Sequence, residues 1–119
     1  MNLEAAATTA INDPLAPELD YAALLARVGG DHELAEQLLR QIHGDLPRRL
    51  EAVRAAILAG EVEAAHQACH PLKGALLSIQ AGPAAEAARR LDEAARAGDP
   101  VGARAALPEL EGAGRRLEE

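Results

Sequence analysis

The chain contains no phenylalanine and no tryptophan, and Tyr21 is its one aromatic residue among 119. A core of stacked rings is excluded, so the 49% of hydrophobic residues must bury themselves mainly as Leu, Ile, Val and Ala. Ala and Leu lose little side-chain entropy in a helix, and closely packed helices suit this composition. A single cysteine, Cys69, excludes an intramolecular disulfide. No basic start followed by an apolar run marks a signal peptide, so the expected location is cytoplasmic. No segment approaches the roughly 18 consecutive apolar residues of a membrane span, and no membrane insertion is expected. Basic residues are outnumbered by acidic ones, 12 to 19, for a net charge of -7. Such a surface does not displace counterions from phosphates, which argues against nucleic-acid binding.

What is present reads as helix from about residue 20 onward. Residues 1–19, with Pro14 and Pro17 and no sustained period, resemble a linker or an arm, and 20–119 form one domain of ordinary size. Asp20 is placed to N-cap a short helix, Tyr21 to Val28, ended by Gly29 and Gly30. Asp31 caps a long one in which Leu39, Ile42, Leu46, Leu50, Val53 and Ile57 follow at steps of 3, 4, 4, 3 and 4. Pro47 lies inside it and predicts a kink. From Glu61, Val62, Ala65, Cys69, Leu72, Leu76 and Ile79 recur at steps of 3, 4, 3, 4 and 3, the seam of a bundle. Pro83 starts a fourth helix to about Ala97, with Ala84, Ala87 or Ala88, Leu91, and Ala94 or Ala95 facing inward. A last one from Val101 uses Ala105, Leu110 and Leu117, and Pro108, Gly112 and Gly114 predict that it is short, kinked or frayed. No segment reads as a strand. Short connections force antiparallel neighbours, so the fold class is all-α: an up-down-up-down four-helix bundle with a short extra N-terminal helix.

The helix from Glu61 carries a second stripe, His66, His70, Lys73 and Leu77, at steps of 4, 3 and 4. At 3.6 residues per turn it is centred about 100° from the apolar seam, which puts His70 on the flank of the bundle. Gly74 costs about 1 kcal/mol in a helix relative to Ala, and it leaves space beside the imidazole. A neutral imidazole is a good nucleophile near neutral pH, and Lys73 supplies an ammonium for an anionic group. Nucleophile, access and counter-charge thus fall within five consecutive residues.

His70-Pro71-Leu72-Lys73-Gly74-Ala75 resembles the HxLKG(S/A) signature of histidine-containing phosphotransfer (HPt) domains. The helix order, the proline in the long helix and the AARAGD turn at Ala94 to Asp99 are similar to that family too, so that the resemblance runs from Asp20 to about Leu117. It implies that His70 is the phosphoacceptor, that Lys73 steadies the phosphoryl group and that Gly74 clears space for a receiver domain. The family often adds a polar side chain from the following helix, and the matching position is Asp92, with Arg89 and Arg96 a turn to either side. His66, Gln67 and Leu77 complete the secondary candidates. Implied partners are response-regulator receiver domains and a hybrid sensor histidine kinase. Mg²⁺ is expected on the receiver and no cofactor on this chain, which is expected to be a monomer. No GxxxxGK(S/T) loop is present and the chain has no room for an ATP-binding catalytic domain, so it reads as a stoichiometric phosphocarrier and not as an enzyme.

Three positions depart from the family pattern. Pro71 follows the histidine in what should be helix interior, where it either kinks the helix or starts a new one. Ser78 and Gln80 stand where Asn and Gly are common. Asp92 is acidic and would repel a phosphate, so that the second contact either falls to an arginine, Arg89 or Arg96, or is absent. Two other readings stay open: a bundle that binds receiver or kinase domains without transferring, and a metal-binding or structural bundle. His66 and His70 are spaced to share a metal, but neither His32 nor His43 is placed to complete a site, and no metal is expected. Cys69, on the seam, reads as a small buried hydrophobe.

Overall fold

The computed structural model describes residues 18–118, so most of the expected N-terminal arm, 1–19, lies outside the described residues. Five helices follow one another: α1 Tyr21–Arg27, α2 His32–Leu58, α3 Val62–Ser78, α4 Gly82–Arg96 and α5 Pro100–Glu118. The two acidic caps act as their positions require. Asp20 Oδ1 accepts from the Ala23 amide at 3.0 Å, and Asp31 Oδ1 from the Leu34 amide at 3.1 Å.

Helices α2 to α5 form the bundle. Helix α2 packs against α3 and α5, and α4 packs against α3 and α5, which closes the ring, while α1 lies beside α2. The same turn makes the three reversals between them. Gly60, Gln80 and Gly98 each take a positive φ, of 73, 63 and 70°. The amide of the following residue then reaches back to a carbonyl of the preceding helix: Glu61 to Ala56, Ala81 to Leu76 and Asp99 to Ala94. Gln80 is the one non-glycine residue of positive φ among the described residues, a conformation that favours glycine.

The predicted seams fill the centre. Leu46, Val53 and Ile57 of α2, and Ala65, Cys69, Leu72 and Leu76 of α3, are buried, while Leu39, Ile42 and Leu50 are partly buried at the edge. On α4 the inner face is almost all alanine: Ala84, Ala85, Ala87, Ala88 and Ala95 are buried around Leu91. Small side chains let α4 approach both of its neighbours closely, and the large residues come from α3 and α5.

Two expectations are corrected. Helix α5 is neither short nor broken: it runs for 19 residues, with Ala103, Leu107, Leu110, Ala113 and Gly114 buried and Ala105 exposed. A Cβ at Gly114 would stand 2.7 Å from Leu50 Cδ1, so the glycine lets α2 and α5 meet. Of the two alternatives at Pro71, the start of a new helix is ruled out: α3 continues from Val62 to Ser78. Pro47, Pro71 and Pro108, the interior prolines of α2, α3 and α5, are all exposed, as are His43, Gln67 and Arg104 four residues before them. The interrupted turns thus lie among exposed residues, where a carbonyl deprived of its donor costs less than in the core.

That cost is still real. A Pro71→Ala chain is expected to gain about 1 to 3 kcal/mol, less than the full helix-interior difference because proline also restricts the unfolded chain. Its thermal midpoint should rise by at least about 4 °C. An unchanged or lower midpoint in calorimetry would mean that the helix is not continuous through residue 71 in solution. Among the described residues no helix is long and apolar enough to cross a membrane.

Candidate functional site

The site is built from α3 and α4, joined by the Gln80 turn. Antiparallel pairing places residues equally far from that turn side by side. Asp92 lies as far beyond Gln80 as the midpoint of His66 and His70 lies before it. It also falls on the inner face of α4, with Ala88 and Ala95 a turn away on either side, and is 1% exposed. A carboxylate so placed needs partners, and the polar stripe of α3 supplies them.

Three donors converge on it. Asp92 Oδ1 accepts from His66 Nδ1 at 2.5 Å, and Oδ2 accepts from His70 Nδ1 at 3.4 Å and from Lys73 Nζ at 3.3 Å. Burial pushes the Asp92 carboxyl up, but the hydrogen bonds from His66, His70 and Lys73 outweigh it, and the carboxyl is held below its ordinary value. The group is therefore an anion at neutral pH. An ionised carboxylate offers only lone pairs, so the imidazole nitrogens bonded to it carry hydrogens. In neutral His70 the lone pair is consequently on Nε2, away from Asp92.

Exposure separates the three donors. The His70 side chain is 59% exposed, against 28% for His66 and 21% for Lys73. The His66 and His70 rings lie 5.4 Å apart, tilted by 48°. One turn on from His70, a Cβ built at Gly74 would meet nothing within 4 Å. Packing among the described residues thus gives no reason for that glycine, which lies exposed one turn along the helix from the imidazole.

The remaining candidates are placed less centrally. Leu77, half exposed, borders a shallow hollow of about 170 Å³ between α3 and α4, lined also by Lys73, Ala85 and Arg89. The Arg89 guanidinium donates to Glu86 at 2.5 and 2.9 Å and to Glu93 at 2.6 Å, so it is committed to its own helix. Gln67 donates to Glu63 at 3.3 Å, also on its own helix, and Arg96 is exposed at the end of α4. Asp92 differs from the expectation of a bare acid facing a phosphate, because its charge is matched from three sides.

Cys69 is fully buried, and its thiol donates to the Ala88 carbonyl at 3.3 Å. Burial first, then the Asp92 charge, push the thiol up to about 12 against the opposing pull of Lys73, so at neutral pH it is an unreactive thiol. His66, His70 and Asp92 bring one donor atom each to within 4.8 Å of one another, a spacing that also suits a metal ion.

The arrangement is an exposed imidazole with a free Nε2 lone pair, an anion behind its Nδ1 and an ammonium at its side. It suits nucleophilic attack on an electrophile that carries negative charge. Comparison with known families agrees: the sequence matches the model of the Hpt domain over residues 37–119, well over half the chain and including all of α3, α4 and α5. No curated protein and no solved structure matches it. Hpt domains interact with receiver domains in phosphorelays. With that match covering the helix that carries His70 and the helix that carries Asp92, the chain belongs to the Hpt family of histidine phosphotransfer domains.

Proposed function

We propose that the chain is an intermediate of a phosphorelay: His70 accepts a phosphoryl group from the aspartate of one receiver domain and passes it to the aspartate of another. The observation that carries this reading is the placement of an exposed His70 against the buried Asp92 anion. Asp92 fixes the ring with Nδ1 protonated. The Nε2 lone pair then attacks phosphorus in line, a P–N bond forms, and the P–O bond to the receiver aspartate breaks with the electron pair leaving on the carboxylate. Attack leaves positive charge on the ring, and the Asp92 carboxylate at Nδ1 stabilises it.

Lys73 sits where its ammonium can turn from Asp92 to the transferred group, at 3.3 Å from the carboxylate and partly exposed. The space over Gly74 admits the receiver, and half-exposed Leu77 supplies an apolar rim for docking. The Mg²⁺ that phosphoryl transfer requires belongs to the receiver, and the chain acts by positioning. The same geometry run backwards delivers the group to a second receiver, so the carrier is not consumed.

Incubation of the full chain with a panel of phosphorylated receiver domains and Mg²⁺ tests this. The expected outcome is that label leaves at least one receiver and appears on the chain in stoichiometric amount. Binding to receivers without any label moving would favour the interaction module that does not transfer.

A further inference from the structure

We propose that His66, His70 and Asp92 form a binding site for a borderline divalent transition-metal ion such as Zn²⁺, and that the bound ion switches the phosphoacceptor off. The second part rests on reading His70 as the acceptor; the first does not. Sequence alone supplies two ligands, His66 and His70, one turn apart on α3, and the fold supplies the third from α4.

The donor set is two imidazoles and a carboxylate, a combination zinc takes in sites with three protein ligands. Zinc-to-ligand bonds of about 2.0 to 2.2 Å in a tetrahedron hold the ligand atoms about 3.3 to 3.5 Å apart. His70 Nδ1 and Asp92 Oδ2 are already 3.4 Å apart, and all three donor atoms lie within 4.8 Å of one another. The one close pair, His66 Nδ1 and Asp92 Oδ1 at 2.5 Å, opens when the hydrogen between them is replaced by an ion. Lys73 is the group that opposes binding, and its ammonium, on a flexible stem, must leave Asp92 for solvent. With three protein ligands, and His70 59% exposed, the fourth position is left to water.

The effect on transfer follows from the electrons. A neutral imidazole has one nitrogen lone pair. When a metal takes the lone pair of Nδ1, the ring hydrogen stands on Nε2, and Nε2 has nothing with which to attack phosphorus. A loaded chain is thus intact but unable to accept. His66 gains a purpose here, as the ligand that makes the two-residue pair of His70 and Asp92 into a three-residue site.

The test is a titration of the chelator-treated full chain with Zn²⁺ alone, followed by calorimetry. One equivalent is expected to bind, at least about tenfold more weakly to His66→Gln and to Asp92→Asn, with His43→Gln, remote from the site, unchanged. Circular dichroism identifies any variant that has lost its fold; His66→Gln, altered at a partly exposed position, provides the comparison if Asp92→Asn does. Equal affinity of wild type and His66→Gln, or no stoichiometric binding, overturns the site. Acceptance from a phosphorylated receiver is then compared with and without one equivalent of Zn²⁺. A fall of at least about tenfold, reversed by chelator, supports the switch, and an unchanged rate overturns it. A chain that accepts label but binds no zinc refutes this site and leaves the carrier function standing; one that binds zinc and never accepts label does the reverse.

Discussion

A His70→Gln chain is expected to fold as the wild type does and to accept no phosphoryl group above background. Its fold is insulated because the His70 side chain is 59% exposed and has one long hydrogen bond, to Asp92 at 3.4 Å. Substitutions at such positions usually change stability by no more than about 0.5 kcal/mol. Its activity is not insulated, because glutamine has no ring nitrogen lone pair. His66 is no substitute: it is less than half as exposed as His70, and its Nδ1 is held against Asp92 at 2.5 Å on the bundle side. Transfer from a phosphorylated receiver, read beside a thermal melt, checks both halves. Label moving to His70→Gln at the wild-type rate would assign the acceptor to another residue.

Asp92→Asn should separate the two duties of the carboxylate. In transfer, the anion at Nδ1 stabilises charge that grows on the ring during attack. A hydrogen bond to a charged group contributes about 1.5 to 3 kcal/mol, so acceptance should slow by about 10- to 100-fold. In stability, the loss should be about 1 to 3 kcal/mol at neutral pH, since three donors lose their charged acceptor. The pH dependence has a definite sign. The folded carboxyl is held below its ordinary value, so its contribution is fully present above the ordinary carboxylate range and is lost as pH falls through the depressed folded value. The difference between wild type and Asp92→Asn in denaturant unfolding should therefore be present in full at pH 7 and shrink on acidification below about pH 4. A difference that grew in acid would show that Asp92 is not held as an anion by its neighbours.

Much of this site is legible in the sequence, and the limits have physical causes. The flank position of His70 follows from helical period alone, because an apolar seam and a polar stripe on one helix fix each other's direction. The caps Asp20 and Asp31 are local features and fold as their spacing predicts. What the period of one helix does not contain is its register against the next. Asp92 reads as an acid that would repel phosphate until the Gln80 turn is known to pair α3 with α4. Even so, a charge on an alanine-lined face of α4 signals a residue that must find partners across the interface.

The prolines and glycines misled for a related reason. Propensity counts Pro108, Gly112 and Gly114 against α5, but the helix is secured by tertiary contacts: Leu107 and Leu110 are buried, and Gly114 receives Leu50. Pro71 costs its helix one hydrogen bond at an exposed turn, not the helix itself. Helix α3 continues on both sides of Pro71, from Val62 to Ser78, with His70 inside it.

The most direct measurement is to identify the atom that carries the phosphoryl group after the full chain has been incubated with a phosphorylated receiver. Phosphorus and nitrogen magnetic resonance of the isolated, labelled chain should show a single phosphoramidate on His70, attached through Nε2, with Nδ1 still protonated beside Asp92. A phosphoryl group on Nδ1, on another residue, or on no residue of the chain after exposure to the whole receiver panel would contradict it.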